Sequence, residues 1–209
     1  MAETIAIEQV CNAILRVVGA LKENIDYLTE LDQAVGDGDL GIIAKKIANV
    51  MENYVLETNG KDDLGKYVLN AGMRISSAAP STMGTLISYA LMCAGKEIMG
   101  KQELDADSLA KMIISADRGI QNRGKAKLGD KTMIDALSPA AHKFEQSIQL
   151  GNTLSIAGRA MLSAAIEGLN SVTPLQSRIG RASWVGERTQ DKIDPGCALV
   201  VIVLKGIVN

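Results

Sequence analysis

Apolar residues return every three or four positions from Ile7 through Val10, Ile14, Val17, Leu21 and Ile25 to Leu28, which sets them on one face of a helix. The same period predicts a second helix from Asp39 to about Leu56, stopped by Asn59 and Gly60. A third covers Asp63 to Ile75, and a fourth runs from Thr82 to Met99 and ends at Gly100. A fifth starts near Asp105 and uses Leu109, Met112, Ile113, Ala116 and Ile120. The sixth follows Asp130 through Met133, Leu137, Ala141 and Phe144, with a kink expected at Pro139. The seventh spans Thr153 to Leu169. The closing run "CALVVIVLKGIVN" is rich in β-branched residues, but no second strand stands ready to pair with it, so it reads as a buried helix. The fold expected is all-α: a single domain over residues 1–209, a bundle or barrel of eight antiparallel amphipathic helices.

Short connections join antiparallel neighbours, so alternate connections share one end of such a bundle. The second, fourth and sixth connections, "TNGKDD", "GKQELD" and "LGNT", are plain caps. The first, third, fifth and seventh are "LDQAVGDGDLG", "ISSAAPSTMGT", "NRGKAKLGDKTM" and "RIGRASWVGERTQDKIDPG". Every chemically unusual loop therefore falls on one rim, which argues for a single site there.

Composition narrows what that site does. With 47% hydrophobic but 3% aromatic residues, the core must be built from Ala, Leu, Ile, Val and Met, which suits packed helices. A net charge of −2, no long basic run and few aromatics argue against nucleic-acid binding. There is neither a membrane-length apolar stretch nor a signal pattern, which points to a cytoplasmic protein. Cys11, Cys93 and Cys197 are odd in number and far apart, and read as buried free thiols.

The first loop places Asp32, Asp37 and Asp39 within eight residues, spaced by Gly36, Gly38 and Gly41. Asp39 could cap the following helix and Asp37 could serve a turn. Asp32 sits in a closing helical turn, where the dipole disfavours an anion. Carboxylates brought to about 5 Å repel by roughly 3 kcal/mol per pair at an effective dielectric of ~20, so convergence would call for a cation. All-oxygen ligands favour Mg²⁺, with Ca²⁺ as the alternative. "SSAAPSTMG" offers hydroxyls and N–H groups at a helix start suited to phosphate, with Ser81 and Thr82 the candidates and Ser76 and Ser77 their competitors. "RGKAKLGDK" brings Arg123, Lys125, Lys127 and Lys131, alternatively a solvated basic loop. Arg181, Arg188 and Asp194 follow, with Pro195 and Gly196 opening the last helix. Such parts make up a phosphoryl-transfer site, although no P-loop or protein-kinase signature is present.

"LDQAVGDGD", "RGKAKLGDKTMIDAL", "GRASWVGER" and "DPG", in this order from Leu31 to Gly196, resemble the nucleotide-binding L subunits of dihydroxyacetone kinases. The resemblance implies a barrel of eight helices with the nucleotide at one rim, and two Mg²⁺ ions held by Asp32, Asp37 and Asp39. It implies nucleotide contacts at Gly124, Met133, Arg181, Asp194, Pro195 and Gly196, and a phosphate-binding helix start at Leu40 and Gly41. Arg181 is the candidate for stabilising the transferred charge, with a rim ion pair as the alternative. Trp184 reads as a packing or partner-docking residue. The resemblance further implies bound ADP cycling with ATP, a K-type subunit presenting a small hydroxyketone, and an M-type phosphocarrier whose phosphohistidine recharges the nucleotide. The chain would be an isolated L subunit, with homo-oligomerisation left open. Two positions depart from the family pattern: Leu40 stands where histidine is usual, and Ile43 where asparagine is usual. Both lost groups are expected near the phosphates, which raises a second reading, a nucleotide-loaded regulatory paralogue without turnover.

Overall fold

The structure, a computed structural model, describes residues 3–57 and 63–208. Its elements are α1 (Ile7–Glu23), α2 (Ile25–Val35), α3 (Leu40–Glu57), α4 (Leu64–Ala78), α5 (Thr82–Glu97), α6 (Ala106–Gly124), α7 (Met133–Gln149), α8 (Leu154–Val172), a 3₁₀ segment (Arg181–Thr189) and α9 (Pro195–Val208). Among the described residues the only β pairing is a single antiparallel bridge between Ile5 and Leu104. The stop assigned to Asn59 and Gly60 lies outside the described residues.

The expected first helix is two, which raises the count from eight to nine α-helices among the described residues. The break has a local cause at Asn24. Its side-chain amide donates to the Ala20 carbonyl at 2.8 Å, taking the acceptor that its own backbone N–H would use in a continuous helix. The backbone N–H turns instead to Leu21 O at 3.1 Å, and α2 restarts with Leu28 N–H on Asn24 O. The apolar stripe keeps its phase across the break, so periodicity alone does not register it.

The other helices begin where a polar side chain caps them. Asp63 accepts from Lys66 N–H, Ser81 from Gly84 N–H, Asp105 from Ser108 N–H and Thr153 from Ile156 N–H. Thr132 and Asp135 form a reciprocal capping box at the start of α7. That helix runs on through Pro139 to Gln149.

Neighbouring helices pack in the order α1, α3, α4, α5, α6, α7, α8, α9 and back to α1, with α2 lying on α3 and α9. The last helix takes part in two cores. Cys197, Val200, Val201 and Leu204 pack with α5–α8, while Ala198, Leu199 and Ile202 pack with α1–α5. A helix buried on nearly every side has no polar stripe to display, which is why its sequence resembles a strand. The three cysteines are free; Cys197 is buried and Cys11 and Cys93 are partly so.

The alternation of ends holds. At one end, Leu64 N–H donates to Lys101 O at 2.8 Å, Ile5 bridges Leu104, and Leu154 N–H meets Glu3 Oε2 at 3.3 Å. At the other, Arg178 N–H donates to Asp130 O at 3.0 Å, and Arg181 reaches Asp37 and Asp39. Helices α3, α5, α7 and α9 all start at this second end. Their unsatisfied N–H groups and positive dipole ends therefore open onto the mouth that carries the aspartates.

Candidate functional site

Asp32 closes α2, and Asp37 and Asp39 occupy the turn into α3. Each offers a carboxylate oxygen, and these lie within 4.8 Å of one another. The turn is shaped for that approach. Gly38 has φ +77°, a conformation that favours glycine, and a Cβ on Gly36 would press on Asp32 Oδ1 at 2.8 Å. The cap of α3 comes from the other side of the turn: Leu40 N–H donates to Asp32 Oδ2 at 3.1 Å. Asp32 thus faces the positive end of α3, which removes the difficulty of an anion in the closing turn of α2. Asp39, the expected cap, points its carboxylate at Arg181 instead.

The cluster is electrostatically loaded. Burial, then the charge of Asp32, hold the Asp39 carboxyl above the usual carboxylate range, against a weaker pull from Lys46. Arg181 answers from the seventh connection, its Nη1 pairing with Asp37 Oδ2 and lying 3.3 Å from Asp39 Oδ2. Three hard oxygen donors in mutual reach, short of positive charge and half-open to solvent, suit Mg²⁺.

A second group forms where α7 and α9 begin. Asp194 Oδ1 accepts from Cys197 N–H at 2.7 Å, capping α9, with Pro195 in the first helical position. A Cβ on Gly196 would lie 3.1 Å from both Asp194 Oδ1 and Met133 N, so glycine is what lets the two helix starts approach. Burial raises the Asp194 carboxyl to about 6, partly offset by the Cys197 N–H. Burial likewise pushes the Cys197 thiol up, and its Sγ donates to Thr132 O at 3.0 Å.

The remaining candidates scatter along the rim. Ser81 already accepts the Gly84 N–H at 3.0 Å, and Thr82 beside it is exposed. Ser77 is spent on its own helix, donating to Met73 O. Gly124 ends α6 with Leu86 of α5 against it. Gly41 is buried, and a Cβ there would collide with Thr29 and the Ile25 carbonyl, so it lets α3 lie close on α2. Leu40 and Ile43 were expected to leave phosphate contacts missing. Their side chains are 4% and 6% exposed and pack into the core, while the Leu40 N–H donates to Asp32 Oδ2.

Lys131 departs from the reading of a basic phosphate loop. It is 1% exposed, and its ammonium donates to Thr173 O, Leu175 O and Thr189 O at 2.7, 2.8 and 2.6 Å. The sequence carries no sign of this, because the three acceptors lie more than forty residues away. Trp184, by contrast, is 93% exposed on the 3₁₀ segment beside Arg181.

Comparison with known proteins gives a consistent picture. The DAK2 domain family matches residues 34–209. The "PEP-dependent dihydroxyacetone kinase 2, ADP-binding subunit DhaL" of Listeria innocua is 34% identical over 187 residues, 88% of this chain and 85% of that protein. The corresponding ADP-binding subunit of Escherichia coli is 30% identical over 198 residues, 94% of this chain and 93% of its own length. Among solved structures, the dihydroxyacetone kinase from C. freundii in complex with AMP-PNP and Mg²⁺ superposes with a TM-score of 0.72 at 21% identity. All of this chain is covered there, but only 35% of that one, so the chain spans about a third of the length of that kinase.

Proposed function

Since the chain belongs to the DAK2 domain family, we propose that it is the ADP-binding phosphotransferase subunit of a dihydroxyacetone kinase. It would pass a phosphoryl group to dihydroxyacetone or a related hydroxyketone held on a K-type partner. A phosphohistidine on an M-type carrier would recharge the nucleotide, in keeping with the PEP dependence named for the bacterial relatives. The observation that carries this reading is the triad of carboxylate oxygens within 4.8 Å of one another, at a mouth onto which four helix N-termini open.

Asp32, Asp37 and Asp39 would hold two Mg²⁺ ions. Bound there, magnesium supplies neutralising charge to the nucleotide phosphates during transfer. The chain's own groups do the rest by positioning. Gly41, behind the Leu40 N–H that caps on Asp32, and the starts of α5 and α9 would offer backbone donors to phosphate oxygens, with Ser81 and Thr82 at the start of α5. Met133, Gly124 and the Asp194–Gly196 turn border the nucleotide. Arg181, paired with Asp37 and Asp39 at the same mouth, would pair with a phosphoryl oxygen as its charge develops. The nucleophile is the substrate hydroxyl, with its base on the partner.

Calorimetry with ADP, with and without Mg²⁺, tests the binding step, and mixing with the K partner and a phosphorylated M partner tests transfer. Magnesium-dependent ADP binding, with transfer that falls at least tenfold in Asp37→Ala, is expected. ADP affinity indifferent to magnesium, or transfer untouched in Asp37→Ala, would refute the assignment. The regulatory reading draws on Leu40 and Ile43, and phosphoryl transfer in the reconstituted mixture would refute it.

A further inference from the structure

Lys131 stands immediately before the cap of α7, with φ 61°, a left-handed backbone that residues other than glycine rarely adopt. That bend sends the side chain inward, beneath the connection between α8 and α9. There the ammonium finds three carbonyls and no solvent: Thr173 O and Leu175 O at the start of the connection and Thr189 O towards its end. One amine thus closes the intervening chain into a loop. Three divergent donors on one point charge match three carbonyls from two stretches of the connection, a task for which the planar guanidinium fork is unsuited.

Around this closure lie further ties. Ser177 N–H donates to Thr189 Oγ1 at 2.9 Å, Thr189 Oγ1 donates to Gly186 O at 2.7 Å, and Arg178 N–H donates to Asp130 O at 3.0 Å. Thr189 is fully buried. Above this seat the chain is half-buried to exposed, with Trp184 at 93% and Arg181, whose side chain is 59% exposed, among its open positions. The outer part of the connection has little core of its own: it rests on α2 and on the Arg181 pairs with Asp37 and Asp39, and its base sets where it leaves and rejoins the helices.

We infer that Lys131 is a positioning residue: by clamping the 173–194 connection at both ends, it fixes where Arg181 stands relative to Asp37 and Asp39. The consequence for nucleotide affinity rests on the proposed function, whereas the consequence for the connection itself does not. Losing the ammonium leaves three carbonyls without their donor, and the connection must loosen to find water.

The test uses the full chain as Lys131→Met, Arg181→Ala and the double variant. Affinity for MgADP is read by calorimetry, the anisotropy of the single tryptophan by fluorescence, and helix content by circular dichroism. Each single variant is expected to bind MgADP about tenfold more weakly, the loss of one charge-assisted hydrogen bond. The double variant should be no weaker than either, and Lys131→Met should lower Trp184 anisotropy with helix content intact. Unchanged anisotropy in Lys131→Met, or losses that multiply to about a hundredfold in the double variant, would overturn the inference. Should Lys131→Met fail to fold, Thr189→Val loosens the same seat by removing the hydroxyl ties to Ser177 and Gly186. It should lower the anisotropy likewise, and unchanged anisotropy there counts against the inference. If the wild type binds no MgADP, the nucleotide reading fails, and the anisotropy still decides the role of Lys131.

Discussion

Replacing Asp194 with asparagine should change how folding stability depends on acidity. The Asp194 side chain is buried at the start of α9, and burial raises its carboxyl from 3.8 to about 6. The folded protein therefore binds this proton more tightly than the unfolded chain does. The stabilisation is fully present below pH 3.8 and is lost as the pH rises through about 6. At about 1.36 kcal/mol per pKa unit, the rise corresponds to about 3 kcal/mol, a large fraction of a typical domain's stability. Asparagine keeps an oxygen for the Cys197 N–H but cannot ionise, so it avoids this dependence. Urea unfolding of both proteins from pH 3.5 to 7.5 isolates the effect, since carboxylates remote from Asp194 contribute equally to each. Relative to wild type, Asp194→Asn should gain about 3 kcal/mol across the interval, mostly between about pH 4 and pH 6. A stability difference that stays flat over that range would refute the reasoning.

Two further substitutions separate packing from surface charge. Gly41→Ala puts a methyl against Thr29 and the Ile25 carbonyl, and should cost about 1–3 kcal/mol by forcing α3 off α2. Thermal melting should register that as a clear drop in Tm, and an unchanged Tm would mean that the helix contact yields freely. Glu52→Gln breaks the 2.7 Å pair with Lys22, but both side chains are about 40% exposed. The expected loss is below about 1 kcal/mol and shrinks in high salt; a larger, salt-insensitive loss would show that the pair is shielded from water.

Much of this fold can be read from the chain because its signals are local. Asp63, Ser81, Asp105 and Thr153 each announce a helix within three residues, and each caps one. The apolar closing run is legible as a helix because nothing else in the sequence could pair with it as a strand. Asp32, Asp37 and Asp39 stand out by their density, and alternation of chain direction brings Arg181 to them across 142 residues. The break at Asn24 escaped because the apolar steps remain in phase through it. Lys131 escaped for a different reason. A lysine among other lysines in a glycine-bearing loop gives no hint of a left-handed backbone, and its acceptors are 42, 44 and 58 residues away. Leu40 and Ile43 show a related gap: the sequence shows which residue is present but not that a helix turns both side chains into the core.

The two-ended layout of the helices has a consequence for engineering. Glu3 sits against Leu154, and Val208 lies beside Gly158 in the second turn of the same helix, so both ends of the described chain emerge on the side opposite the aspartates. A tag, a tether or a whole extra module joined at either end would hang away from the mouth and leave its approach clear. Covalent linkage to other machinery is thus geometrically cheap for this scaffold, and immobilising it through either terminus should present the acidic opening outward to whatever docks there.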